Sequence, residues 1–507
     1  MVMAAAGRSA ATSCRARCAS RRARCALFSI ELTGGLALPL ALAVACALVS
    51  WASPVKAETL AQALRAAYQT NPQLDAERAR LRATDEDVSR AYSGYRPTIT
   101  GSADVGARHS STKPSSSTDG RTFPKGYSIN ATQPLFRGFR TVNAVNAAEA
   151  NVRAGRETLR LTEQQVLLSA VQGYVDVIRD EAIVRLRRNN VRVLARELKA
   201  SKDRFAVGEV TKTDVAQARA RHALAISSLD LARSNLRTSR ANFRQVVGHA
   251  PRHLRPVRPH RRLIPKTLKQ AIEIGDIENP AVVRALYREQ AARYNVDTIR
   301  GELLPTAQLD ANFTHRYALS RFTQQTRVGT ITGRVSIPFY QAGDVSARVR
   351  QAKQTHIAQL QVIQQSRTET RQAVTTAWSQ LIAARAAVVS DRIAVEANRI
   401  ALDGVRQEEL VGQRTVLDVL DAQQELLNSG VVLATDTRNE IFASYNLLSA
   451  MGRLDIQRLN LSSRVYDVEA HYADVRRKWW GISITHADGR HEKLDLWERY
   501  GRRRSRN

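Results

Sequence analysis

Cysteine is scarce in this 507-residue chain, and its placement matters more than its number. All four cysteines (Cys14, Cys18, Cys25 and Cys46) precede Glu58. From Glu58 onward the chain has no thiol for a disulfide, a thiolate metal site or a cysteine nucleophile. Aromatic residues make up only 6%, and past residue 57 no apolar run approaches the roughly twenty residues of a membrane-spanning helix. There is no glycine-rich phosphate loop, no nucleophile elbow and no zinc-ligand spacing. His249 and His253 are spaced like a metal pair, but they flank Pro251 in an arginine-rich loop without an acidic companion. These absences predict neither enzyme nor cofactor.

Acidic residues are also in short supply. Lys and Arg number 77 against 47 Asp and Glu, a net charge of +30. Such a balance would ordinarily suggest nucleic acid, but the excess is partly local. It lies before residue 58, between Arg252 and Lys269, and in the tail ending Arg502-Arg-Arg-Ser-Arg506. These read as solvated basic stretches. Residues 1–57 read as a secretory signal with an overlong front: Arg15, Arg17, Arg21, Arg22 and Arg24, an apolar run from Leu36 to Val49, then Val55-Lys-Ala57 as a small-x-small cleavage site. Pro39 breaks the run, which is too short for a membrane anchor. Cys46 lacks the preceding large aliphatic residue of a lipid-attachment motif. An exported chain rarely meets nucleic acid, so no such partner is expected.

What is present is a repeat. Val207-Gly-Glu-Val-Thr-Lys-Thr-Asp214 returns as Val411-Gly-Gln-Arg-Thr-Val-Leu-Asp418, placing Gly208 with Gly412, Thr211 with Thr415 and Asp214 with Asp418. Glycine ends a helix, and Thr-x-x-Asp, a shortened capping box, starts the next. Asn71-Pro72 recurs as Asn279-Pro280, and Pro97 as Pro305, at an offset of 208. Pro134 recurs as Pro338, and Gly248 as Gly452, at an offset of 204. The repeats are 58–250 and 266–461, with a proline- and arginine-rich surface linker at 251–265 and a basic tail, 462–507, whose composition predicts disorder.

Within each repeat the period changes twice. Helix-forming residues fill Glu58 to Tyr92; then alternation of period two marks strands at about 98–108 and 126–136, and again at about 306–317 and 328–339. Ile99, Ile129, Phe313 and Ile331 fall on one face, with Thr100, Asn130, Asn312 and Thr330 on the other. Each strand is long enough to cross a bilayer in a tilted barrel, although a soluble half-buried hairpin alternates in the same way. Four strands cannot close a membrane barrel, so that reading needs more than one chain. Long helical hairpins come next, at about 140–248 and 343–452. Val215, His222, Leu229, Leu236 and Phe243 recur every seven residues, with Ala218, Ala225 and Ala232 between them.

These features together resemble the TolC family of outer-membrane efflux and secretion channels, from Glu58 to about Leu461. The most specific residues are Val411 to Gln423, then Gln133-Pro-Leu-Phe-Arg-Gly138; Tyr466 to Trp479 look like the tail of type I secretion members. The resemblance implies an α+β membrane protein. Three chains would supply a 12-stranded outer-membrane barrel and a hollow α-helical tunnel across the periplasm. It also implies a periplasmic adaptor docking at the tip turns (Gly208, Thr211, Gly412, Thr415) and an inner-membrane pump, ABC-type or proton-driven. Asp418 and Asp421 match the family's acidic constriction. Arg414 matches a gating arginine that pairs with the first-half turn at Thr213 and Asp214. Glu409 stands where the family's other latch residue is often tyrosine, and it would repel Asp214. Two rivals fit less well. A periplasmic adaptor or helical scaffold would carry one hairpin flanked by compact β domains, and a nucleic-acid binder leaves the strand pairs unexplained.

Overall fold

The computed structural model describes residues 57–111, 113–114, 120–260, 262–319, 322–461, 465–476, 478–485 and 491–492. The expected secretory signal, but for Ala57, lies outside them. After α1 (Leu60–Thr70), Asn71 starts α2 (Pro72–Tyr92) by accepting from the Gln73 N–H at 2.9 Å. Proline fits the first position because its missing N–H would have no helical partner there. The Asn71 amide also reaches outward, donating to the Val246 carbonyl (3.0 Å) in the last turn of α4 (Lys212–Val247). In the second repeat Asn279 starts α6 (Pro280–Arg300), which follows α5 (Leu268–Glu278), and donates to the Ala450 carbonyl (2.8 Å) of α8 (Val416–Ala450). Gly248 and Gly452 end α4 and α8 at φ +91° and +79°. The Asn-Pro and Gly landmarks are therefore one joint, built twice.

Two helices of 67 residues, α3 (Arg140–Ala206) and α7 (Asp344–Leu410), carry the length of the molecule. At 1.5 Å per residue each spans about 100 Å. Each folds back on its partner, α3 on α4 and α7 on α8, and the predicted seam residues Ala218, Ala225, Leu229, Ala232 and Phe243 are buried. The main core gathers Tyr174, Phe243, Leu447, Leu448 and Met451 from both hairpins. Burial pushes the Tyr174 phenol up to about 12; its hydroxyl is shared between the Glu58 and Arg255 carbonyls, 2.9 Å from each.

The strands form one antiparallel sheet in the order β1 (Thr98–Val105), β4 (Lys125–Arg137), β5 (Thr306–Tyr317), β6 (Gln325–Ser336). The repeat holds at the level of register: Thr98 faces Thr132 in the first pair, and Thr306 faces Ser336 in the second. A third seam joins the repeats, with Ala131 opposite Ala311 and Asn130 opposite Asn312. Ile99, Ile331 and Val335 remain 71%, 77% and 67% exposed. Among the described residues, the apolar face of the sheet thus has no cover.

Two expectations need correction and one an addition. The first strand stops at Val105, and beyond Gly106 a separate ladder pairs β2 (Arg108–Ser110) with β3 (Gly120–Thr122). The linker at 251–265 stays at the surface, as expected, but it is docked there as a strap. Leu254, Val257, Leu263 and Ile264 pack on the main core, and Arg255 N–H donates to the Glu58 carbonyl (3.0 Å). Its apolar residues, spaced among prolines and arginines, escaped a reading based on composition. The tail is likewise ordered where it is described. It carries α9 (Ala470–Arg476) with Val475 buried; Tyr466 N–H donates to the Tyr68 hydroxyl (3.1 Å), and His471 meets Asp85 at 2.9 Å. Aromatic and acidic side chains here find partners on α2 and α3, whereas the arginines at 502–506 lie outside the described residues.

Candidate functional site at the helical tips

Both hairpins turn in the same way. After α3 and α7, Gly208 and Gly412 take φ of +83° and +77°, where an L side chain is strained. Thr211 and Thr415 then cap α4 and α8. In each, an aspartate oxygen accepts from the threonine N–H at 2.9 Å and its hydroxyl at 2.8 Å, while the aspartate N–H donates back at 3.3 Å. Thr-x-x-Asp therefore forms the reciprocal box despite aspartate's shorter side chain. The Thr415 N–H and hydroxyl, with the Arg414 charge, hold the Asp418 carboxyl below the usual range. Within one chain, Asp214 and Asp418 are helix caps first.

Arg414 pairs with Glu408 at 2.9 Å, not with the exposed Thr213 or with Asp214. Glu409, expected to face Asp214, has an ion-pair partner of its own. It takes Arg204 of α3 as partner, joining the ends of the two long helices. One turn past the second cap, Asp421 of α8 pairs with Arg221 of α4. Close by, Leu420 of α8 packs with Leu194 and Ala225 in the groove of the first hairpin. Arg204 and Arg221 were missed by the sequence reading because each partner is some two hundred residues away. The tip is thus a pair of identical capped turns tied by two ion pairs between hairpins. Among the described residues no cluster of three or more His, Cys, Asp or Glu could hold a metal.

The description "Outer membrane efflux protein" belongs to the family model that matches residues 63–249 and 276–453. Those two segments are most of both repeats. The chain belongs to the outer membrane efflux protein family. Within this family it is 39% identical over 435 residues to the outer membrane efflux protein BepC of Brucella suis biovar 1 (strain 1330), covering 85% of this chain and 93% of BepC. It is 24% identical over 437 residues to TolC of Escherichia coli (strain K12), covering 82% and 86%. The crystal structure of the CmeC outer membrane channel of Campylobacter jejuni shares the fold, with a TM-score of 0.71 over 84% of this chain and 91% of CmeC at 14% identity. As an outer membrane efflux protein, the chain resides in the outer membrane and extends into the periplasm. That location gives the exposed apolar face of the sheet a counterpart in lipid.

Proposed function

We infer that this chain is the exit duct of a tripartite export system, working as a homotrimer that passes small molecules, secreted polypeptides, or both. One observation carries the reading: a four-stranded sheet with an uncovered apolar face and open edges at β1 and β6, continuous with helices of 67 residues. Three sheets joined edge to edge make twelve strands, within the range of closed barrels, and three sets of hairpins wall a tunnel. A periplasmic adaptor docks at the capped turns and couples the duct to an ABC or proton-driven pump. Around the threefold axis, Asp418 and Asp421 form the narrowest charged rings and favour cations. Arg221 offsets part of the Asp421 charge, the Arg204–Glu409 pair helps hold the two tips together, and the Arg414–Glu408 pair braces the second turn.

Single-channel recording in planar bilayers tests this reading. The wild type is expected to show a small, cation-selective conductance. Asp418→Ala with Asp421→Ala should lose selectivity, whereas Arg221→Gln should increase it. A mutant with unchanged selectivity removes the gate assignment and leaves the duct; protein that stays soluble without detergent removes both.

A further inference from the structure

At the end of the sheet farthest from the helices, basic and aromatic side chains gather on the lipid-exposed face. Tyr127 of β4, His315 of β5 and Arg327 of β6 lie side by side in register, and Lys125 is opposite Tyr317. All five share the face of Ile129, Phe313 and Ile331, because strand side chains alternate. His315 is only 4% exposed and lies beneath the others. Its Nε2 accepts from the Arg327 Nε–H at 3.3 Å, so Nδ1 carries the ring proton toward the Tyr127 hydroxyl, 3.2 Å away. The Tyr317 hydroxyl stands 3.4 Å from the same nitrogen, and the Lys125 ammonium lies over the Tyr317 ring. His315 therefore fixes the Arg327 fork with its two terminal NH2 groups unspent, and it leaves the Tyr127 hydroxyl hydrogen free to donate outward. Among the described residues no carboxylate pairs with Lys125 or Arg327. The nearest acid along the strands, Asp104, is on the opposite face and meets Arg316 at 3.9 Å.

Depth gives this cluster its meaning. From Arg327 to Val335 the strand runs about 27 Å, and with the tilt of barrel strands it climbs about 20 Å, most of the height of a barrel's apolar band. Phe136, Phe339 and Tyr340, all exposed, mark the near end of that band; Tyr127 and Tyr317 mark the far end. The far end is the headgroup level of the outer leaflet. There an unpaired guanidinium, an ammonium and phenolic donors face anionic lipid. The cluster lies on β4, β5 and β6 of one chain, so it is complete in each protomer.

We propose that Lys125, Tyr127, Tyr317 and Arg327, oriented by His315, form a site for the phosphate group of an outer-leaflet glycolipid. Arginine supplies the planar fork and lysine the point charge that phosphate recognition uses. The site rests on the sheet being a barrel wall in lipid, which bilayer conductance tests separately.

The test uses the full-length protein in detergent, with bisphosphorylated lipid A as probe and native mass spectrometry as readout. Dephosphorylated lipid A and inorganic phosphate are the comparison ligands. Wild type should retain the bisphosphorylated lipid at least tenfold better than the dephosphorylated form, and inorganic phosphate should not displace it. Lys125→Gln with Arg327→Gln should lose about tenfold, each single variant a few-fold, and Arg316→Gln on the opposite face nothing. The single variants decide if the double variant does not assemble. Equal retention of the two lipids, an unaffected Lys125 or Arg327 variant, an equal loss in Arg316→Gln, or displacement by inorganic phosphate would each overturn the proposal.

Discussion

Glu163 of α3 lines a cavity of about 360 Å³ beside Arg78, Arg160 and Asp455. Burial, aided by Asp455 and opposed by the Ile456 N–H at 3.1 Å, raises its carboxyl to about 7. The folded chain therefore holds a proton there that the unfolded chain releases near 4.5. Its stabilising contribution is complete below that lower value and is lost as pH rises through 7. Glu163→Gln keeps an acceptor for Ile456 and removes the titration. The variant is expected to gain on the order of 3 kcal/mol over wild type at pH 8 and little at pH 5. Thermal unfolding at the two pH values checks this; equal shifts at both would refute it. Glu278 is the opposite case. Hydrogen bonds from Arg453 and Arg458 lower it to about 2, so its contribution is present above 4.5 and lost as pH falls through 2.

At the scale of elements, the turns show what was legible in the sequence. Gly208, Gly412 and the two Thr-x-x-Asp boxes act within four residues, so their local pattern was sufficient. Seam alanines and leucines were legible from period alone. The Arg204–Glu409 and Arg221–Asp421 pairs were not, because no local rule selects one arginine among many across two hundred residues. The docking of the strap at 251–265 and of the tail was missed for a related reason: composition averages over the few side chains that dock. Gly452 separates local from tertiary demands. A Cβ there would lie 2.7 Å from the Asn279 Cα, whereas at Gly412 nothing lies within 4 Å. Gly412→Ala should cost about 1 kcal/mol, from backbone strain alone. Gly452→Ala should cost clearly more and lower the unfolding midpoint further; equal losses would show that the Asn279 joint yields. Arg204→Glu should enlarge the resting conductance, and Arg204→Glu with Glu409→Arg should restore it, the half-buried pair contributing on the order of 1 kcal/mol. Failure of the reversal to restore closure would remove this pair from the latch.

At the scale of the whole molecule, lipid and lumen divide the sheet by residue parity. Ile331→Lys places a charge near mid-band on the apolar face and should cost about 2–4 kcal/mol of insertion. Thr330→Lys, one residue away on the polar face, should insert normally. Membrane fractionation of the two variants decides whether the faces are assigned correctly. The duplicated fold was legible because prolines and glycines hold its register. The number of chains was not, since a sheet edge records that it needs a neighbour and not how many complete the ring.

The seam between β4 and β5 carries one more consequence. It joins one repeat to the next inside a chain, and in a closed ring β6 must meet β1 of the adjacent copy in the same way. Carrying the offsets of 204 and 208 onto the Ala131–Ala311 and Asn130–Asn312 pairs sets Val335 against Ala103 of the partner subunit, both on the lipid face, and Arg334 against Asp104 of the partner subunit, opposite charges on the lumen side. With every native thiol confined to residues 1–57, Ala103→Cys with Val335→Cys should stitch the ring into covalent dimers and trimers on a non-reducing gel. Each chain would thus hold, folded within itself, the template for its own assembly.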